Sequence, residues 1–150
     1  KRLQSYGCQG SWKDLVCDFY VDFEIPVLDE LVATEYTEKT SVYSNARNCI
    51  TTPGEFYLVP YGYRGRSVAV ATWLACFDGH KEIFLIGVDG THADFQKDET
   101  AIAQINNVIA TYPSVKFVHV SDTVATPDVW RNNQNVERWD YAKFVSLCDI

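Results

Sequence analysis

The chain has 150 residues, 13 Lys+Arg against 20 Asp+Glu, and a formal charge of −7. Its 47% apolar and 14% aromatic content excludes disorder as the dominant state, and the length allows one domain with a real core. No run approaches the ~20 apolar residues of a membrane span, and the acidic balance argues against general nucleic-acid binding, which needs Lys and Arg for phosphate.

Val16–Phe23 alternates apolar and polar side chains and predicts a strand. Asp18, Asp22 and Glu24 then share one face, read as a solvated sheet face or edge. Pro26 opens a short helix through Leu31 or Val32. Thr40–Tyr43 is a short strand, Asn45–Gly54 is turn-rich, and Glu55–Val59 is a further strand ended by Pro60-Tyr61-Gly62. Ser67–Asp78 is apolar almost all round, with Ser67 as N-cap and Gly79 at the stop, which predicts a buried helix. Ile83–Val88 is a continuous apolar run, expected as a central parallel strand covered on both faces. Asp98–Tyr112 has helical spacing and Pro113 ends it. Val115–Val120 is the next strand, and Asp140–Leu147 the last helix.

This order predicts an α/β fold: a single Rossmann-like domain over residues 1–150, with a largely parallel sheet and helices on both faces. The chain contains no methionine and starts at Lys1, which leaves room for a missing N-terminal strand. KRLQSYGCQG has the charges of a signal peptide but no apolar core. The five cysteines, Cys8, Cys17, Cys49, Cys76 and Cys148, are odd in number and widely spaced, without a CxxC. They predict free thiols in a reducing, cytoplasmic setting, with Cys76 a small buried hydrophobe.

In parallel α/β sheets, ligands bind beyond the C-terminal strand ends. Three places follow. Arg64, Arg66 and Ser67 enter the apolar helix, where free N–H groups and two guanidinium groups suit a phosphate or carboxylate. The bland alternative leaves both arginines in solvent or paired with acidic neighbours. After Val88 come Asp89, Thr91, His92 and Asp94. His92 is a candidate general acid or base with a carboxylate to orient it, and Asp89, His92 and Asp94 are a weaker candidate metal set. The alternative has Asp89 and Thr91 satisfying loop backbone and His92 on the surface. Ser121-Asp122-Thr123 reads as a cap or turn, His119 as a packed structural histidine, and His80 as a surface turn residue. There is no Gly-x-Gly-x-x-Gly, P-loop, Gly-x-Ser-x-Gly or His-Glu-x-x-His, which removes the main support for dinucleotide, Walker-type, hydrolase and zincin readings.

Ser67 to Asp89, with Gly79-His80-Lys81-Glu82-Ile83 and Gly87-Val88-Asp89 inside it, resembles a segment of the bacterial sialyltransferases of glycosyltransferase family 42. It is also similar to the DUF115-like, 6-hydroxymethylpterin pyrophosphokinase-like proteins. Val42-Tyr43-Ser44-Asn45 is similar to that family's strand ending in Ser-Asn. The resemblance implies a Rossmann-like transferase that binds a CMP-sugar without metal or other cofactor. It puts Arg64 and Ser67 near donor and acceptor, and Asp89 on the strand-end aspartate. Val68 and Arg66 depart from the family's Gly and Thr, His92 lies closer to the strand than its catalytic histidine, and Gly7-Cys8-Gln9-Gly10-Ser11 only faintly echoes its Gly-x-Gly-Pro-Ser loop.

Three functions stand open on these residues. In the first, a metal-independent glycosyltransferase-like enzyme takes a nucleotide-sugar donor and a hydroxyl acceptor. Arg64, Arg66, Ser67 and Thr91 bind substrate, His92 moves the proton and Asp89 orients the loop. In the second, the chain is a non-catalytic α/β binding module. Its surface is the aromatic loop Tyr57–Tyr63, with Tyr61 and Tyr63, and the Trp130/Trp139 tail. The third is a metal-dependent phosphoesterase using Asp89, His92 and Asp94.

Overall fold

A computed structural model describes residues 3–88 and 98–148. Every strand pair in it is parallel, and the chain is an α/β protein of the Rossmann-like kind. The strands fall into a four-stranded and a three-stranded sheet, and contacts divide the chain into two compact units, Gln4–Leu74 and, mainly, Ala75–Ile150.

The first unit holds strands β1 (Tyr6–Cys8), β2 (Phe19–Val21), β3 (Ser41–Ser44) and β4 (Tyr57–Leu58), side by side in chain order. Parallel neighbours need crossovers. Helices α1 (Ile25–Ala33) and α2 (Tyr36–Lys39) join β2 to β3, and α3 (Ala46–Thr51) joins β3 to β4. Pro26 sits in the first turn of α1, where its missing N–H costs nothing. Tyr20 and Val42 on one sheet face pack with Leu28 and Leu31 of α1 and Tyr36 of α2; all five are buried, with Trp12, Val27 and Phe56 against them. The Tyr36 hydroxyl donates to the Leu15 carbonyl at 2.9 Å and accepts from the Cys17 N–H at 3.1 Å, so a buried phenol is satisfied on both sides.

Three expectations change here. A strand precedes Val16: Tyr6–Cys8 lies beside Phe19–Val21. The Val16–Phe23 strand shrinks to Phe19–Val21, because Leu15 and Val16 are over 60% exposed and no neighbour covers them. The turn-rich Asn45–Gly54 contains α3, whose N-cap is Asn45, its side chain accepting the Asn48 N–H at 2.9 Å.

Helix α4 (Ser67–Phe77) runs across the division between the units. Residues 68–76 are all buried, as an apolar surface on every side requires. Its cap lies one residue earlier than expected: the Arg66 carbonyl accepts the Val70 N–H, so Arg66 is the cap and Ser67 the first helical residue. Its end is as read. Gly79 takes φ +93, its N–H bonds the Cys76 carbonyl, and the His80 N–H bonds the Ala75 carbonyl, the paired closure of a Schellman motif.

The second unit holds β5 (Glu82–Ile86), β6 (Lys116–Val120) and β7 (Val136–Trp139), in that order. The central strand is β6, not the expected apolar run. Phe117, Val118, His119 and Val120 of β6 are buried, whereas β5 alternates, with Ile83 and Leu85 buried and Ile86 exposed. On the other face of β5, Phe84 is half-buried against the rings of Trp139 and Phe144. Helix α5 (Glu99–Thr111) is capped by the Asp98 carboxylate and buries Ala101, Ile105, Val108 and Ile109. Helices α6 (Asp128–Arg131) and α7 (Tyr141–Cys148) complete the unit; α6 and β7 were not expected from the sequence. No helix among the described residues is long and apolar enough to cross a membrane.

Candidate functional site

The C-terminal ends of β2, β3 and β4 open onto a cleft of about 510 Å³ in the first unit. Phe23 lines it after β2, and Asn45, Ala46 and Arg47 line it after β3. Leu58 and Val59 come from β4, and the turn beyond adds Gly62, Tyr63, Arg64 and Gly65. This is the edge where parallel sheets bind ligands, and the volume is in the range of small-molecule sites. The lining is mostly apolar. Among the described residues its charged groups are Arg47 and Arg64, and no carboxylate joins them. Both arginines are exposed, and neither makes an ion pair or side-chain hydrogen bond among the described residues. In a chain of net charge −7 this is a local cationic pocket.

Buried polar bonds fix the cleft floor. Asp22, just past β2, is 6% exposed. One carboxylate oxygen accepts the N–H groups of Phe23 at 2.8 Å and Glu24 at 3.1 Å. The other accepts the Tyr20 hydroxyl at 3.2 Å, and that phenol oxygen accepts the Gly10 N–H at 3.0 Å. Burial, above all, drives the Tyr20 hydroxyl well above the ordinary tyrosine pKa, so it stays protonated as the donor. Ser44 Oγ donates to the Asp22 carbonyl at 2.8 Å, and Asn48 Nδ2 donates to Ser44 Oγ at 3.0 Å and to the Phe23 carbonyl at 3.1 Å. The ends of β2 and β3 are thus stitched together beneath Phe23 and Asn45. On the opposite wall Tyr63 stacks flat on Trp73 of α4, ring centres 4.4 Å apart and planes 3° apart.

Of the residues singled out from sequence, Arg64 lines the cleft. Arg66 is exposed and Ser67 half-buried at the start of α4, and neither lines it. Asp89, Thr91, His92 and Asp94 lie outside the described residues. Asp22, read as part of a solvated face, is buried and fully engaged, because the strand ends at Val21 and the chain turns inward after it. Arg47 was missed. It lies three residues past Ser44, so applying the strand-end rule to β3 as well would have found it.

Other candidates resolve as structural. His119 is fully buried, its Nδ1 2.9 Å from Thr126 Oγ1 and its ring edge-on to Trp130. Trp130 is not a surface aromatic: it is fully buried and its indole N–H donates to the Ile102 carbonyl at 3.0 Å. Trp139 is half-buried, between Lys116 and Lys143. Ser121 Oγ accepts the Val124 N–H and Asp122 accepts the Tyr141 N–H, the turn and cap expected there. All five cysteines are free, and among the described residues no three His, Cys, Asp or Glu gather closely enough to hold a metal ion.

No protein-family model matches the chain, and neither a curated protein nor a solved structure matches it.

Proposed function

We propose that the chain is a metal-independent glycosyltransferase-like protein whose cleft takes the phosphate of a nucleotide-activated sugar. The observation that carries this reading is the pair Arg47 and Arg64, lining an apolar cleft at the strand ends with no carboxylate among the described lining residues. Guanidinium groups hold phosphate through paired, charge-assisted bonds. In the transfer, an acceptor hydroxyl oxygen attacks the anomeric carbon, the bond from that carbon to the phosphate oxygen breaks, and the nucleotide leaves with the electron pair. The arginines stabilise the charge that develops on that phosphate. On sequence grounds the acceptor proton goes to His92 and supporting roles to Asp89 and Thr91, all outside the described residues. The resemblance of Ser67–Asp89 to family 42 sialyltransferases supports this assignment and makes a cytidine nucleotide the first candidate.

A second reading, a non-catalytic α/β binding module, is favoured by the turn after β1. Its N–H groups are used internally, Cys8 on Ser11 Oγ at 3.1 Å and Gly10 on the Tyr20 hydroxyl. That leaves them unavailable to a phosphate.

Thermal-shift titration with CMP, CMP-sialic acid and UDP- and GDP-sugars, with and without EDTA, tests the first reading. A nucleotide at 100 times its Kd adds about 2.7 kcal/mol, a rise of roughly 5–10 °C for a chain of this size. The rise is expected with a cytidine nucleotide, insensitive to EDTA and lost in Arg64→Ala. No shift with any nucleotide overturns the proposal and selects the second reading; a shift without transfer to any hydroxyl acceptor removes the catalytic part of the proposal.

A further inference from the structure

Among the described residues, two aromatic side chains line the cleft, Phe23 and Tyr63. Tyr63 has its partner in the indole of Trp73. Phe23 has none: among the described residues neither a ring nor a cation packs against it. It is half-buried, and it stands apart from the core cluster of the first unit, against which Trp12, Val27 and Phe56 pack. Its main chain is engaged in the cleft floor. The N–H donates to the Asp22 carboxylate at 2.8 Å, and the carbonyl accepts from Asn48 Nδ2 at 3.1 Å. What Phe23 presents to the cleft is therefore its ring, on a backbone held from both sides. A half-open phenyl ring leaves apolar area in water, which a ligand laid over it would remove.

We propose that Phe23 is the stacking platform for the nucleobase of the ligand whose phosphate Arg47 and Arg64 hold. The inference rests on the nucleotide reading of the cleft and names the residue that takes the part of the ligand the arginines do not address. Aromatic face and charge come from different strand ends: Phe23 follows β2, Arg47 follows β3 and Arg64 follows β4. Neighbouring strands lie about 4.8 Å apart, so the ends of β2 and β4, with β3 between them, are on the order of 10 Å apart. A nucleoside phosphate laid across the strand ends suits that span, with its base over Phe23 and its phosphate at the arginines. An aliphatic side chain would line the cleft equally well, but a flat π face gains more from an aromatic base. Stacking is tolerant of base identity, so Phe23 supplies affinity and leaves the choice of base to other groups.

Calorimetric titration of the full chain with CMP and, separately, with ribose 5-phosphate tests this. Phe23→Leu keeps an apolar side chain and removes the aromatic face. It is expected to weaken CMP at least about fivefold and leave ribose 5-phosphate unchanged. Phe23→Tyr is expected to bind CMP as the parent does, and Arg64→Ala to weaken both ligands. In proton NMR at saturating CMP, the ring protons of cytosine are expected to move upfield on the parent, under the ring current of a stacked phenyl group, and to lose that shift on Phe23→Leu. If Phe23→Leu binds CMP normally while Arg64→Ala weakens both ligands, the stacking role is overturned and the nucleotide reading of the cleft stands. If Phe23→Leu loses both ligands equally, Phe23 shapes the floor rather than carrying the base, and the proposal also falls. Bound CMP without an upfield shift on the parent overturns it independently of any variant. If the parent binds no nucleotide, inference and cleft reading fall together.

Discussion

Cys8 ends β1 in a crowded corner: a Cβ added to its neighbour Gly7 would lie 2.7 Å from both Cys17 Sγ and Ser11 Oγ. Burial, then the Asp22 carboxylate and Cys17, push the Cys8 thiol up to about 12, and burial pushes Cys76 up to about 12 as well. Both ordinary values are 9.0. Between the two values the unfolded chain has released these protons and the folded chain has not, so folding is opposed by rising pH. Below about pH 9 the two thiols contribute no slope. From pH 9 towards 12, urea unfolding under reducing conditions is expected to lose up to about 1.4 kcal/mol per pH unit for each thiol. The Cys8→Ala/Cys76→Ala pair is expected to flatten that decline, leaving the part due to Tyr20, Tyr36 and Cys49, whose pKa values are displaced in the same direction. An equally steep decline in the double variant would place the alkaline instability elsewhere. Residue identities were only partly legible in advance. Arg64 stood out because it precedes a long apolar run. Asp22 did not, since alternation on paper cannot tell a strand residue from one just past the strand end, where the carboxylate meets backbone N–H groups instead of water.

Elements that carry a long period were legible and those of three or four residues were not. Helix α5 buries Ile105 and Ile109 on one stripe, and α4 is apolar on every side, so both announce themselves over more than ten residues. Strand β7 does not: Val136–Trp139 follows a polar stretch, and its placement depends on a remote partner. That partner works through Asn135, whose amide Nδ2 donates to the carbonyls of Ile109 at 3.2 Å, Tyr112 at 3.0 Å and Val115 at 2.9 Å. Its own carbonyl accepts the Phe117 N–H at 2.8 Å. One side chain thus satisfies the end of α5 and the entry to β6 while setting where β7 begins. Asn135→Ala removes the amide donor from those carbonyls, of which Tyr112 keeps the Val115 N–H, and is expected to cost about 1–3 kcal/mol in chemical denaturation. Asn135→Asp is expected to cost more, because it aims a carboxylate at three acceptors. Equal stability of the two variants would mean that the amide is not acting as the donor.

At the scale of the whole molecule, two electrostatic effects oppose each other when an anion approaches. The net charge of −7 repels it, and the cleft arginines attract it. Distance decides which governs affinity. At physiological ionic strength the screening length is about 8 Å, so acidic groups spread over the chain are largely masked at the cleft. A phosphate in contact with Arg47 or Arg64 interacts within a few ångströms, and the exposure of both side chains keeps that attraction modest and sensitive to salt. Nucleotide affinity is therefore expected to fall a few-fold as NaCl rises from about 50 to 300 mM, spanning the screening range. Arg47→Ala and Arg64→Ala are each expected to lower affinity and flatten that dependence. Titrations at several salt concentrations would give the slope directly. A rise in affinity with salt would mean that the global repulsion dominates, and that the two arginines are solvated surface groups rather than a phosphate site.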